Sequence, residues 1–432
     1  MKDALGLALS GADAEGLAAY QAALDQFRCF TGDPVALAEQ AIAASPGMTM
    51  AHLLRAWLHL LGTEPSGIAV ARHACEAAAA LPANERERLH LQAARLLARG
   101  QWYEAGRVLE DITLLYPLDL LALQAGHQVD FFTGDARMLR DRPARALPAW
   151  QRGMPGYHAV LGMHAFGLEE CADYAQAERQ GRQAVELEPR DGWAWHAVAH
   201  VLEMRNDPGA GVAWLAPNAQ AWAPESFLAV HNWWHLALFH LELGREDEVL
   251  RLYDQSIGTG SAVMLDLVDA TAMLWRLQLR GVDVGGRWEP VADLWQQAGE
   301  PGLYAFNDLH MMLAFTATGR SAQQARVLAA QAQALRGSDD NAHFTAVVGS
   351  PAARAMQAFG QGDYASCVSL LRGIRSGAHR FGGSHAQRDV IDLTLLEAAR
   401  RAGMEVLAQG LLAERIALRP RTRVAAPLAL AA

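Results

Sequence analysis

No apolar run in this chain approaches the roughly 18 residues that a membrane-spanning helix requires. The opening residues, MKDALGLALSGADAEG, lack both a basic segment and an apolar signal core, so no secretory leader is expected. Cysteine is scarce: Cys29, Cys75, Cys171 and Cys367 are widely scattered and form no CxxC pair. That excludes a disulfide frame and a thiolate metal cage, and predicts core-like thiols in a reducing, cytoplasmic setting. Basic charge is also in deficit. Lys and Arg total 37 against 47 Asp and Glu, a net charge of −10, which disfavours nucleic-acid phosphates and anionic membrane surfaces as partners. Glycine-rich nucleotide fingerprints, a P-loop and the zincin HExxH motif are all missing. Few stretches alternate apolar and polar residues, so strands are not expected.

What remains is helix-forming material. Half the chain is apolar (51%) and only 19% is charged, ample for a core and incompatible with bulk disorder. Apolar residues recur at spacings of three and four, as in Leu96, Leu97, Trp102, Ala105, Val108 and Leu109. One phrase returns. GQWYEAGRVLEDITLLYPLDLLAL from Gly100 matches ADYAQAERQGRQAVELEPRDGWAW from Ala172 in its aromatic, its amphipathic helix, its Pro and the Asp two residues later. Pro117 and Pro189 lie about two periods of the roughly 34-residue tetratricopeptide repeat apart. Weaker copies begin at Glu242, Ala317, Gly360 and Ala402. Small residues let paired helices approach closely, and Pro ends each second helix by removing a donor. The pattern predicts an all-α, tetratricopeptide-like helical-repeat solenoid, an α–α superhelix that is compact and curled. A plain helical bundle is the competing architecture. Residues 1–420 read as one domain, degenerate over 1–95 and recognisable over 96–420, with a frayed tail at 421–432. Gly- and Pro-rich stretches at Gly153–Gly156, Gly258–Gly260, Val282–Gly286 and Gly377–Gly383 read as joints between repeats.

Sixteen histidines are many, and their placement follows the repeat. WAWHAVAHVLEM places His196 and His200 four apart on one helix face, with Glu203 one turn later. AVHNWWHLALFHLE does the same with His231 and His235. Corresponding histidines of the two segments are about 35 residues apart, one period, so the pairs occupy equivalent positions on adjacent first helices. Four imidazoles are therefore expected to converge on the inner surface. Neutral imidazoles at i and i+4 suit zinc, iron or copper, and Glu203 would complete the shell or act as a base on bound water. Haem, held by one axial imidazole among the aromatics, is a variant. The plainer alternative is a set of inward-facing polar side chains satisfied by neighbours.

Further candidates for ligand contact are Tyr157 and His164, which share a helix face about one period earlier, and Asp308 and His310 at a helix start. Asn307 or Asp308 there would otherwise serve as an N-cap. In FGGSHAQRDV, Gly382 and Gly383 permit positive φ, Ser384 caps the next helix, and His385 and Arg388 crowd its first turns. Arg388 suits a carboxylate or phosphate, or an internal pair with Asp389. His52, His59, His73, His90, His127, His343 and His379 read as structural or surface residues.

These phrases, HAFGLEECADYAQAERQGRQAVELEPRDGWAWHAVAHVLEM, LAVHNWWHLALFHLE with the later Leu252–Asp254, FNDLHMMLAFTATGR and GGSHAQRDV, resemble the tetratricopeptide repeat protein 38 family over nearly the whole length. The resemblance implies a cytoplasmic helical-repeat fold and carries no ligand or catalytic assignment. The readings of function are three: an enclosed His-rich site for a metal or small molecule, with enzymatic action on a small polar metabolite; the same pocket without metal, doing acid–base chemistry on a ligand held by Arg388; and a scaffold that docks a peptide or protein partner in a concave groove.

Overall fold

The structure is a computed structural model that describes residues 1–298 and 300–422. Among these residues every regular element is helical; β pairing is limited to two isolated bridges, Lys2 with Ala8 and Thr31 with Ser226. First helices begin at Ala14, Thr49, Glu85, Leu120 and Tyr157, a step of about 35 residues, and each is followed by a second helix. The step is as regular before residue 95, where copies of the phrase are weak, as after it. The chain is thus built of tetratricopeptide-like helical hairpins.

Local chemistry explains the hairpins. The turn inside a hairpin needs one left-handed residue, supplied by Gly134 (φ 68) and Gly362 (φ 78). The residue after each, Asp135 and Asp363, accepts the amide hydrogens of Met138 and Ser366 and so caps the second helix. Second helices Trp102–Leu115 and Tyr174–Leu187 stop just before Pro117 and Pro189, as the repeated phrase predicts. Asp119 and Asp191 then cap the next first helices through Ala122 N and Ala194 N, each at 3.0 Å. Glycine sets the closest approach: a Cβ on Gly167 would sit 2.2 Å from the Leu139 carbonyl oxygen.

The chain divides into two compact units. The first comprises Met1–Val198 with Asn218–Ala229, and the second Ala199–Pro217 with the residues from Val230 onward; the boundary falls inside the helix Gly192–Met204. In the first unit an apolar cluster includes Leu120, Leu139, Val160, Phe166 and Trp193. In the second, Trp275 and Trp295 are buried, and their indole N–H groups donate to Thr394 Oγ1 (2.9 Å) and Thr271 Oγ1 (2.7 Å).

A recurring polar link joins successive first helices. Asp119 is 1% exposed and accepts from Arg86 Nη1 (2.7 Å) and His90 Nε2 (2.9 Å), while Trp57 Nε1 donates to His90 Nδ1 (3.2 Å). Asp191, fully buried, accepts from His158 Nδ1 at 2.7 Å. In the second unit Asp269 accepts from His231 Nδ1, also at 2.7 Å. In all three the imidazole comes from one first helix and the carboxylate from the next.

Three sequence expectations are corrected. Val282–Gly286 lies between the helices Met264–Leu279 and Trp288–Gln297, so it is a turn within a hairpin, not a joint between repeats. The helix Ala305–Ala317 is capped by neither Asn307 nor Asp308: its N-cap position is Tyr304, and the first amide, Ala305 N, donates to Asn341 Oδ1 (2.9 Å) from a later helix. A side chain distant in sequence fills a role that local pattern assigns to a neighbour. The tail expected from Arg421 begins docked, with Arg421 N donating to Asn206 Oδ1 (2.6 Å) and its guanidinium paired with Asp207 (2.9 Å); positions 423–432 lie outside the described residues.

The Asp119 link sets a stability prediction. Burial opposes ionisation of Asp119, but His90 and Arg86 hold its pKa well below the ordinary 3.8. A depressed carboxyl stabilises the fold above its unfolded pKa, and that contribution is lost as pH falls below about 4. Asp119→Ala leaves the Arg86 charge buried and unpaired, and is expected to cost about 3–5 kcal/mol in urea unfolding at pH 7. The deficit should shrink as the pH is lowered toward 3.

Candidate metal centre

The helix Gly192–Met204 carries His196 and His200, and the helix Ala229–Glu242 carries His231 and His235. His200, His231 and His235 belong to the second unit and converge there. Their ring centroids lie 4.5 Å apart for His200 and His235 and 4.9 Å for His231 and His235, and one nitrogen from each lies within 4.8 Å of the others. His200 and His235, one period apart in sequence, are the pair in closest ring contact among these. His196, one turn before His200, belongs to the first unit; its ring is 1% exposed, stacks on Phe166 at 5.2 Å and lies 4.7 Å from Trp193.

Electrostatics keep two of these imidazoles unprotonated. Burial pushes the pKa values of His200 and His235 well below 6.5, and neighbouring cations and imidazoles add to the effect: His231, His385, Arg388 and Arg419 at His200, and His200, His231 and Arg276 at His235. Both rings are therefore neutral at pH 7, the form that donates a lone pair to a metal. His231 is oriented differently. Its Nδ1–H donates to Asp269 Oδ2, the kind of support that carboxylates give to metal-binding imidazoles. Its ring stacks on Trp234 (5.4 Å, 13°), and the Arg276 guanidinium lies 5.3 Å from the centroid of the same indole. Asp269 was not singled out in the sequence. The signal was faint: an Asp in the apolar phrase LDLVDATAML, one period beyond the His231 helix.

The other candidates are placed as follows. Glu203 is 6% exposed and its carboxylate pairs with Arg419 at 2.5 Å. Arg388 donates through Nη1 to the Gly383 carbonyl, and Asp389 pairs with Arg415 (2.7 and 3.0 Å), so the Arg388–Asp389 pair weighed from sequence gives way to a longer-range partner. Ser384 caps the helix His385–Arg401 in a reciprocal box with Gln387, and Gly382 and Gly383 have φ of 85° and 75°, both as expected. His385 is the first residue of that helix. Asp308 Oδ1 accepts from Gly302 N (2.9 Å), and burial pushes its pKa up to about 7. His310 donates from Nδ1 to the Phe306 carbonyl (2.8 Å), and burial lowers its pKa to about 4. In the first unit, Tyr157 packs against the Phe166–Trp193 cluster, and His164 is buried with a lowered pKa.

No family profile matches the chain. Among solved structures it is similar to the APC/C hetero-tetramer Cut9–Hcn1 (14% identity, 91% of this chain and 69% of that one, TM-score 0.42). It is also similar to the P58(IPK) TPR domain (13%, 91% and 99%, TM-score 0.20) and to yeast Tom70 (10%, 89% and 88%, TM-score 0.30). No helix of the described residues is long and apolar enough to cross a membrane. By its own helical step, the chain is an all-α protein of tetratricopeptide-like repeats with a histidine cluster in its second unit.

Asp308 gives a pH prediction. A carboxyl whose folded pKa is raised destabilises the fold as pH climbs from about 4 through 7, because the buried group must ionise. Asp308→Asn keeps an acceptor for Gly302 N and removes the ionisation. Its urea midpoint relative to the parent should therefore rise between pH 5 and pH 8, by about 3 kcal/mol of relative stability.

Proposed function

We propose that the protein is a helical-repeat metalloprotein that holds a divalent transition-metal ion on His200, His231 and His235 and acts with it on a small polar metabolite. The observation that carries this reading is the meeting of three imidazole nitrogens within 4.8 Å of one another, with Asp269 on His231. Nitrogens about 2 Å from one ion sit roughly 3.3 Å apart in a tetrahedral set, so the rings need close by no more than about 1.5 Å. Three imidazoles meeting at one place suit a bare ion better than haem, which has two axial positions. His196, one turn earlier on the same helix as His200, is the fourth candidate from sequence. An ion with three protein ligands keeps a position for water or substrate, and supplies Lewis acidity for hydrolysis or a redox centre for oxidation. The chain's own residues supply the rest: Asp269 holds the tautomer of His231, and burial keeps His200 and His235 unprotonated.

Membership of the tetratricopeptide repeat protein 38 family is supported by the sequence phrases quoted above. A cytoplasmic setting is supported by four cysteines that are free. A second reading, docking of a protein partner, is favoured by Val406 (86% exposed) and Leu418 (77%) on the helix Glu405–Leu418.

Metal analysis of protein purified without a histidine tag tests the first reading. Near-stoichiometric zinc, iron or copper is expected, lost in His200→Ala/His235→Ala with helicity retained. Protein that is metal-free as isolated, and that takes up neither Zn²⁺ nor Co²⁺ on titration, sinks it. Asp269→Asn should weaken Co²⁺ binding by about 10- to 100-fold, read from the visible absorption of the bound ion.

A further inference from the structure

Beyond the histidine cluster, the second unit contains a cavity of about 190 Å³ where the helix Glu246–Leu252 runs into a π-helical turn, Tyr253–Ile257. π-Turns insert a residue into the helical ladder and are frequent at functional positions. Gly258 N donates to the Tyr253 carbonyl (2.7 Å) and closes the turn. Gly258 also leaves room for the Tyr253 ring, since a Cβ there would lie 2.4 Å from it. The turn thus sets Tyr253 at the wall of the cavity, and residues of the helices Met264–Leu279 and Trp288–Gln297 line it as well.

Tyr253 is the unexplained group. It is 3% exposed, and its hydroxyl is buried without a hydrogen-bond partner. Buried hydroxyls are normally paired, so an isolated one on a residue that lines a cavity marks a place for a ligand atom. Burial raises its pKa, which keeps the phenol neutral, with a proton to donate and lone pairs to accept.

The lining sets the ligand's size and charge. Ile257, Leu267, Val291 and Leu294 make it largely aliphatic. An apolar cavity of about 150 Å³ suffices for a benzene ring. The volume here therefore admits one ring with a small substituent. Arg287 is bound to Asp254 through two nitrogens (2.7 and 2.8 Å) and to the Val284 carbonyl (3.0 Å), so these two charges are matched to each other. Asp266, also on the lining, has an interaction of its own and is not free for a ligand. An ion entering the cavity would lose water against aliphatic walls and gain no counter-charge, which is costly. We propose that this pocket binds a neutral monocyclic alcohol or phenol, its ring against the aliphatic wall and its hydroxyl hydrogen-bonded to that of Tyr253.

Calorimetric titration of the full chain with p-cresol, toluene, benzoate and benzylammonium tests this. One saturable site for p-cresol is expected, with toluene about tenfold weaker and both ions weaker still. Tyr253→Phe should bring p-cresol down to the level of toluene and leave toluene unchanged. Its melting temperature should equal the parent's or exceed it, because an unpaired buried hydroxyl is removed. Leu294→Trp, with helicity retained, should abolish binding of both by filling the cavity. Absence of saturable binding, the result if the cavity holds only water, would overturn the proposal. So would equal affinity for p-cresol and toluene, an ion that binds as tightly as p-cresol, a lower melting temperature for Tyr253→Phe, or affinity untouched by Leu294→Trp. Loss of p-cresol binding on chelation would move the ligand to the histidine cluster and overturn it too; survival under chelator keeps the two sites distinct.

Discussion

A buried carboxylate gripped by an imidazole from the preceding first helix is the contact that keeps successive repeats in register. Asp119 with His90, Asp191 with His158, and Asp269 with His231 repeat the same bond at 2.7–2.9 Å. Helix packing alone tolerates sliding and rotation, because apolar contact has little direction. A charge-assisted hydrogen bond between side chains of fixed reach does not. Leaving either partner alone in the interior is costly, so the pairs select one alignment of neighbouring helices. Two of the carboxylates also cap the helix they begin, which ties the alignment to the point where each helix starts.

In the second unit the same bond acquires chemical meaning. Asp269 sits within its helix instead of at its head, and its partner His231 is brought into contact with His235 and, through it, His200. Burial keeps protons off His200 and His235, while the carboxylate fixes which nitrogen of His231 carries its proton. A register-keeping link thus doubles as the support of the proposed ligand set. The acidic group that adjacency on the helix suggested, Glu203, is instead bound to Arg419 near the end of the described chain. Arg415 and Asp389 pair in the same neighbourhood, so the last helix is held to earlier helices by ion pairs as well as by packing.

Much of the architecture was legible because helical period, Pro stops and Asp caps are local. Pro117–Asp119 and Pro189–Asp191 announce the helix breaks they make, and Ser384 with Gln387 announces its own cap. The repeat step alone brings His200 and His235 into correspondence. What stayed hidden was every partner drawn from far along the chain. Asn341 capping Ala305, Arg419 on Glu203 and Asp269 on His231 join residues whose spacing carries no pattern.

Sequence alone therefore determined the helices, their caps and the repeat step, since each depends on side chains within about one turn of one another. It also determined which histidines share a face. Tertiary structure decided which imidazoles meet, which carboxylate serves them and which is diverted to an arginine. Those choices depend on distances across helices, where a displacement of a few ångströms separates a hydrogen bond from none.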